Sequence, residues 1–266
     1  MQIKEKLLAV LVLSGIVALS GCTQLPEQDV PTDPQIEAYE EYLQMLNDGL
    51  ETTAIEQTLT QLLDELDPRY HEPMIFAYEA HLKSFLELPE DRLKIALIDY
   101  SHINQFDRYL SDEHQSFFSL LENEYRTMDL NAPGYVTTIP NLLEKAQDVE
   151  KHLLAFPQGN TTGRAYELYA RYLYKALLGN GIFTELMAAD SAQINDEIAR
   201  SYSGFIEDYP ASHTASLVGL YLEILDGSQG DLTSKPVQDF YFNFYTYLRS
   251  FLWDNRPPQN PIAPIR

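Results

Sequence analysis

Residues 205–215 read Phe-Ile-Glu-Asp-Tyr-Pro-Ala-Ser-His-Thr-Ala, and this stretch decides the fold class. One apolar-periodic segment closes on an aromatic residue. A proline follows at once, and a second periodic segment begins. Proline stops a helix by removing a backbone donor, and it fixes φ for the start of the next element. The same phrase recurs at Leu66-Asp67-Pro68, Leu88-Pro89 and Phe156-Pro157. Turns this short fold consecutive helices back on each other as antiparallel pairs, and stacked pairs make a solenoid. The expectation is an all-α chain of antiparallel helical hairpins, stacked as an irregular solenoid. The alternative is an irregular helical bundle with proline turns.

Outward from that junction, helical periodicity runs almost throughout. It predicts helices from Pro34 to about Asn47, from a cap at Thr52 or Thr53 through Leu66, and from His71 to Leu86. Pro89 opens a fourth and Ser111 starts a fifth. After a break at 129–139, which holds Pro133-Gly134, further helices are expected near 140–156, 162–178, 191–208, 211–226 and 236–253. Gly179 and Gly227 stand where a helix C-terminus favours a left-handed residue. The organisation predicted is a leader at 1–21, a tether at 22–34, a helical part at 35–128, the loop or boundary at 129–139, a repeat-like part at 140–255, and a tail at 256–266 with four prolines.

The 266 residues are 45% hydrophobic, which is enough for one or two domains with a real core. Lys and Arg number 18 against 40 Asp and Glu, a net charge of −22. Phosphate recognition is carried by Lys and Arg, so this balance argues against nucleic acid and anionic lipid headgroups as partners. One cysteine, Cys22, rules out a disulfide framework and a Cys-rich metal site.

Lys4 and Lys6 precede the apolar run Leu7–Ala18, which is too short to span a bilayer and fits the core of a secretory signal. Leu19-Ser20-Gly21-Cys22 follows and resembles the lipobox of bacterial lipoproteins. The resemblance implies that Cys22 is acylated on sulfur and becomes the mature N-terminus. Loss of Lys4, Glu5 and Lys6 takes the net charge from −22 to −23. Thr23 stands where an inner-membrane retention signal carries aspartate. The resemblance therefore implies the outer membrane, facing the periplasm, in a Gram-negative host, and otherwise the outer face of the cell membrane.

Residues 205–212 with Ala215 also resemble the helix-turn of tetratricopeptide-type repeats in envelope lipoproteins. His152–Pro157 with Ala165 and Leu168 match more loosely, so the likeness covers about residues 140–226. Pro157 and Pro210 are 53 positions apart (210 − 157), where that repeat has about 34. The Trp-Leu-Gly-Tyr half of the consensus is missing.

Motifs for chemistry are few. Among His71, His81, His102, His114, His152 and His213 there is neither an HExxH nor a Glu-x-x-His. Asp99 and His102 share a helical spacing without marked further ligands. Gly227-Ser228-Gln229-Gly230 is not a nucleophile elbow. Gly179-Asn180-Gly181 is a helix end, not a dinucleotide loop. Asp226–Asp231 lacks the glycine and glutamate of a calcium loop. No catalytic residue, metal or cofactor is expected.

Aromatics lead further. Val237, Phe240, Tyr241, Phe244, Tyr245, Leu248, Phe251 and Leu252 form one stripe on the last helix. Phe242, Arg249 and Trp253 fall off it and are the candidate partner-contact residues. Packing under the proline tail is the competing account of that face. The expected function is a non-catalytic, membrane-anchored scaffold or adaptor that binds another envelope protein or peptide with a basic face. A small-ligand-binding lipoprotein and an envelope hydrolase are the rival readings.

Overall fold

The computed structural model describes residues 33–84, 98–127, 138–179, 186–189 and 191–259. The protein is all-α. Its helices are α1 (Pro34–Asn47), α2 (Thr52–Glu65), α3 (His71–Ser84), α4 (Ser101–Asn104), α5 (Asp112–Arg126), α6 (Ile139–Ala155), α7 (Thr162–Leu178), α8 (Asp196–Asp208), α9 (His213–Gly227), α10 (Lys235–Phe242) and α11 (Phe244–Asp254). Among the described residues the only β-pairing is two isolated bridges, Met187 with Ile194 and Gln193 with Asp231. The helix expected at Pro89, the Leu88-Pro89 turn, Cys22 and almost all of the 129–139 break lie outside the described residues.

Helix ends follow local chemistry. Pro34 takes the first turn of α1, where Asp33 accepts a hydrogen bond from the Gln35 N–H (3.0 Å). Gly179 closes α7 in the left-handed region. Other ends differ from expectation. Thr52 is already helical and Glu51 takes the cap position. Helix α8 starts at Asp196, not 191, because Asn195 caps it through the Glu197 N–H and Gln193 and Ile194 are held in the two bridges. Gly227 stays within α9. The left-handed positions fall instead on Gln229 (φ 55°) and Gly230 (φ 77°), where the chain turns to bring Gly230 C=O onto the Ile194 N–H.

The two aromatic–proline junctions of the C-terminal part are the same device. Phe156 and Tyr209 share one backbone conformation, φ −127° with ψ 60° and 51°. Each proline stops the helix before it without opening the next; a turn intervenes, and α7 and α9 begin at Thr162 and His213. Helix α6 pairs with α7 along most of its length, α8 pairs with α9, and α6 also touches both helices of that second pair.

What locks these helices together is a set of glutamates that reach across to the N-termini of other helices. The first N–H groups of a helix have no partner within it and carry partial positive charge. Glu72 of α3 accepts the Ser111 N–H at the start of α5 (2.7 Å). Glu113 of α5 accepts both the N–H and the hydroxyl of Thr161 at the start of α7 (2.6 and 2.7 Å). Gly159 makes room for that carboxylate; any Cβ there would collide with it. Glu150 of α6 is buried and accepts from the N–H groups of His213 and Thr214 and from the hydroxyls of Ser212 and Thr214.

Two buried ion clusters add to this. Glu79 of α3 meets Arg164 of α7 (2.7 Å), Lys83 (2.6 Å) and the Tyr100 hydroxyl (2.9 Å), with Arg164 lying over the Phe117 ring. Glu124 of α5 meets Lys145 of α6 (2.7 Å) and the Tyr172 hydroxyl of α7 (2.6 Å). Helices from both sides of the 129–139 segment are thus joined directly. The apolar core between them is one cluster from Tyr42 to Leu252. Helix α7 is its most enclosed member, with Ala165, Leu168, Tyr169, Leu173 and Ala176 fully buried. Several hydroxyls of the tyrosine-rich interior are partnered, as Tyr202 is by Ala176 C=O (2.6 Å) and Tyr42 by Met74 C=O (3.3 Å), whereas the Tyr221 hydroxyl is buried without a hydrogen-bond partner among the described residues.

Glu150→Ala strands two N–H groups and two hydroxyls and is expected to cost about 3–5 kcal/mol in urea unfolding. Glu79→Gln leaves Arg164 and Lys83 without their shared anion. Both cations are about a third exposed, so solvent screens part of that effect and the expected loss is smaller, about 2–3 kcal/mol.

Candidate docking surface

The predicted helix 236–253 is in fact two helices. Asn243 breaks it, with φ −101° and ψ 9°. Its N–H donates to Asp239 and Phe240 C=O, its side-chain amide donates to Asp239 C=O (2.8 Å), and its own C=O accepts from Thr246 and Tyr247 N–H. A buried asparagine can satisfy the carbonyls of one helix and the donors of the next at once.

The break divides the apolar stripe. Val237, Phe240, Phe244, Leu248, Phe251 and Leu252 go into the core, but Tyr245 turns out to solvent and is 58% exposed. The one-stripe expectation is therefore corrected at Tyr245. Phe242 is 64% exposed at the end of α10, with its ring edge-on to Tyr241 (5.4 Å between centroids). Trp253 is 39% exposed near the end of α11, and Arg249 is exposed one turn before it.

Arg249 and Trp253 share a face, as the helical count anticipated, and Thr246 lies on it too. With Tyr245, Ser250 and Asp254 of α11, Tyr166 of α7 and Pro258 of the tail, they line an open groove of about 740 Å³. Phe242 is not among the lining residues, and this corrects its grouping with Trp253: the count assumed an unbroken helix through Asn243. Tyr166, Tyr245 and Asp254 belong to the groove and were not singled out from sequence. Tyr245 sat within the apolar stripe.

Aromatic contacts support the groove from beneath. Tyr245 stacks on Tyr174 of α7 (6.4 Å, 22°), whose hydroxyl meets that of Tyr241 (3.2 Å). Burial and that hydrogen bond raise the Tyr174 phenol to about 12. Burial raises the Tyr166 phenol too, while the nearby Arg249 charge works against it. Beyond Trp253 the chain turns at Asn255, left-handed at φ 48°, and the Ser250 hydroxyl ties down Arg256 C=O (2.8 Å). Of the tail, Pro258 reaches the groove, and Trp253 keeps more than a third of its surface exposed beside it.

Between α5 and α6 lies a shallow hollow of about 490 Å³ lined by Ser116, Asn123, Asp148, Lys151 and His152. Ser116 Oγ lies 2.9 Å from His152 Nδ1, His152 Nε2 lies 2.8 Å from Thr161 Oγ1, and that hydroxyl donates to Glu113. This chain resembles a nucleophile with its base in outline. Ser116, however, stands inside α5, where backbone N–H groups are committed to carbonyls one turn back and are not available to an oxyanion. The network instead fastens α5, α6 and the start of α7. Asp99 and His102 do not converge: Asp99 accepts from the Ser101 N–H (3.0 Å), and His102 turns to Glu56 (2.7 Å). Among the described residues no group of three or more His, Cys, Asp or Glu is placed to hold a metal ion. No described helix is long and apolar enough to cross a membrane.

No family model matches the chain, and no curated protein or solved structure matches it.

Burial pushes the His152 imidazole below its ordinary range, against the attraction of Glu113. The unfolded chain takes up that proton near pH 6.5, and the folded chain only at lower pH. Stability is therefore expected to fall as the pH drops below about 6.5, with the loss complete once the pH is under the folded value. Burial tends to raise the Glu113 carboxyl, but its hydrogen bonds from Thr161 outweigh this and hold it below the usual range. Its contribution is present above the ordinary carboxylate value and is lost further into acid, as pH falls through the folded value. Urea titrations from pH 7.5 down to about pH 2.5 check both phases, and His152→Gln is expected to remove the first.

Proposed function

We propose that this chain is a lipid-anchored envelope protein that acts as a non-catalytic scaffold, holding another protein or peptide close to the membrane. The lipobox-like Leu19-Ser20-Gly21-Cys22 supports the anchor, with Cys22 as the acylated residue. Two or more acyl chains give stable attachment where one does not. The segment from Thr23 to the start of α1 is a short spacer, so the helical body sits near the bilayer. In a Gram-negative host the location is the periplasmic face of the outer membrane; otherwise it is the outer face of the cell membrane.

The body is read as tetratricopeptide-like hairpins stacked into an irregular solenoid. The equal conformations at Phe156 and Tyr209 and the α6–α7 and α8–α9 pairs favour that reading. Stacked hairpins present extended binding surfaces.

The observation that carries the scaffold role is the exposed groove of α11, with Tyr245 and Trp253 and Arg249 between them; Phe242 is exposed apart from it, at the end of α10. Tryptophan, tyrosine and arginine are the residues that most often anchor interfaces. A net charge of −22 favours a partner with a basic face and a salt-sensitive association.

Pull-down from detergent-solubilised envelope at low salt is expected to recover a discrete protein partner. Recovery is expected to fall at high salt, and Trp253→Ala and Arg249→Ala are each expected to reduce it about tenfold. Both positions are exposed, so unfolding free energy is expected to change by less than about 1 kcal/mol. Equal recovery by all three proteins, or no partner at any salt, overturns the reading. Separately, fatty-acid labelling of the chain in a bacterial host is expected to be lost in Cys22→Ser.

A further inference from the structure

We propose that the α11 groove seats a carboxylate of the partner: an Asp or Glu side chain on an extended segment, held by Arg249 and flanked two positions away on either side by apolar residues. This inference rests on the docking reading above and names the chemistry of that same site.

Arg249 is set apart by what it lacks. The exposed arginines Arg69, Arg108, Arg126 and Arg256 each lie 3.0–3.9 Å from a carboxylate. Among the described residues no carboxylate comes that close to Arg249, acidic as the chain is. Arg200 of α8 is open too, but it does not line this groove. Arg249 does line it, and its charge reaches the Tyr166 phenol there. A guanidinium presents its donors as a planar fork that matches a carboxylate, and such charged contacts are roughly twice as strong as neutral ones.

The walls fix the rest. Tyr245 and Trp253 stand one turn before and one turn after Arg249 on α11, about 6 Å along the axis each way. In an extended chain alternate side chains share a face and repeat at about 6.6 Å. The order apolar, any, acid, any, apolar therefore lays one side chain on each ring and the carboxylate on the guanidinium. An extended segment also brings backbone N–H and C=O groups that need partners, whereas a helix has spent its own. The Thr246 and Ser250 hydroxyls and the Asp254 carboxylate line the same groove. Asp254 meets Arg256 at 3.9 Å, but both are more than half exposed, so that pair is weak and Asp254 keeps acceptor capacity.

The net charge of −22 does not oppose this seat. Salt screens the general field beyond about 8 Å, while the contact with Arg249 is direct. A partner that is basic overall can still present one acid.

Trp253 is the only tryptophan in the chain, so its fluorescence reads the groove. The probes are acetyl-Leu-Ser-Glu-Ser-Leu-amide and its counterparts with Gln or Lys in place of Glu. They are titrated into the full-length parent, Arg249→Gln and Arg249→Glu, each checked by circular dichroism. The Glu peptide is expected to change Trp253 emission saturably and to bind the parent at least about tenfold more tightly than the other two. Arg249→Gln is expected to abolish that preference, and Arg249→Glu to turn it toward the Lys peptide. A peptide with its leucines moved to helical spacing from the Glu is expected to bind at least about threefold more weakly. Equal affinity of the parent for all three peptides, no saturable change with any of them, a preference that survives Arg249→Gln, or equal binding of the helically spaced peptide overturns the proposal. The envelope pull-down separates this seat from the scaffold reading. Glu-peptide binding with no recovered partner leaves the seat in place and overturns the scaffold. Partner capture that falls in Trp253→Ala yet is unchanged in Arg249→Glu overturns the seat and leaves the docking role.

Discussion

A buried carboxylate facing the open end of a helix is the interaction on which this fold depends. Glu150 is taken out of water, and only the Ser212, His213 and Thr214 donors make that tolerable. Conversely, the first N–H groups of α9 are buried among apolar side chains and have few other partners. Each side needs the other, so the position of α9 relative to α6 is set by a directional bond and not by greasy contact alone. Glu113 does the same for α7 and Glu72 for α5. Apolar packing supplies most of the stabilisation. These glutamates select which of many similar helix packings the chain adopts.

The arrangement also explains how an acidic protein keeps a sound interior. Many of its carboxylates lie on the surface, but those that enter the core do so against a cation, a helix N-terminus or a tyrosine hydroxyl. Glu79 has two cations and Tyr100; Glu124 has Lys145 and Tyr172. The abundance of tyrosine follows from the same need, since its ring fills space and its hydroxyl can end on a buried acid.

Helix existence was legible in the residues because period and stop signals agreed. Helix α7 matches its expected span from Thr162 to Leu178, where Gly179 closes a strongly periodic run. The start of α8 was not legible: the apolar pattern runs back past Asn195, and nothing local reveals that Ile194 pairs with Met187 and Gln193 with Asp231. The break at Asn243 was hidden for a related reason. Phe240, Tyr241, Phe244 and Tyr245 keep helical spacing straight through it, and one asparagine does not announce that its side-chain amide will bond the end of α10 while its backbone C=O receives the first N–H groups of α11. The glutamate caps were out of reach altogether, since Glu113 and Thr161 are 48 residues apart and Glu150 and Thr214 are 64 apart. At the groove, Arg249 and Trp253 were found because their offset from the stripe is local to α11. Tyr166 was not found, because its exposure depends on where α11 crosses α7.

Gly159 bears on how this chain can vary. Its missing side chain is the space that the Glu113 carboxylate occupies, although the two residues sit in different helical neighbourhoods. An alanine at 159 would push the carboxylate off Thr161, whereas the same alanine opposite a shorter residue at 113 would meet no obstacle. The two sites are therefore an epistatic pair. Among descendants of this sequence they should drift jointly or not at all, and a lineage that has lost one is free to lose the other.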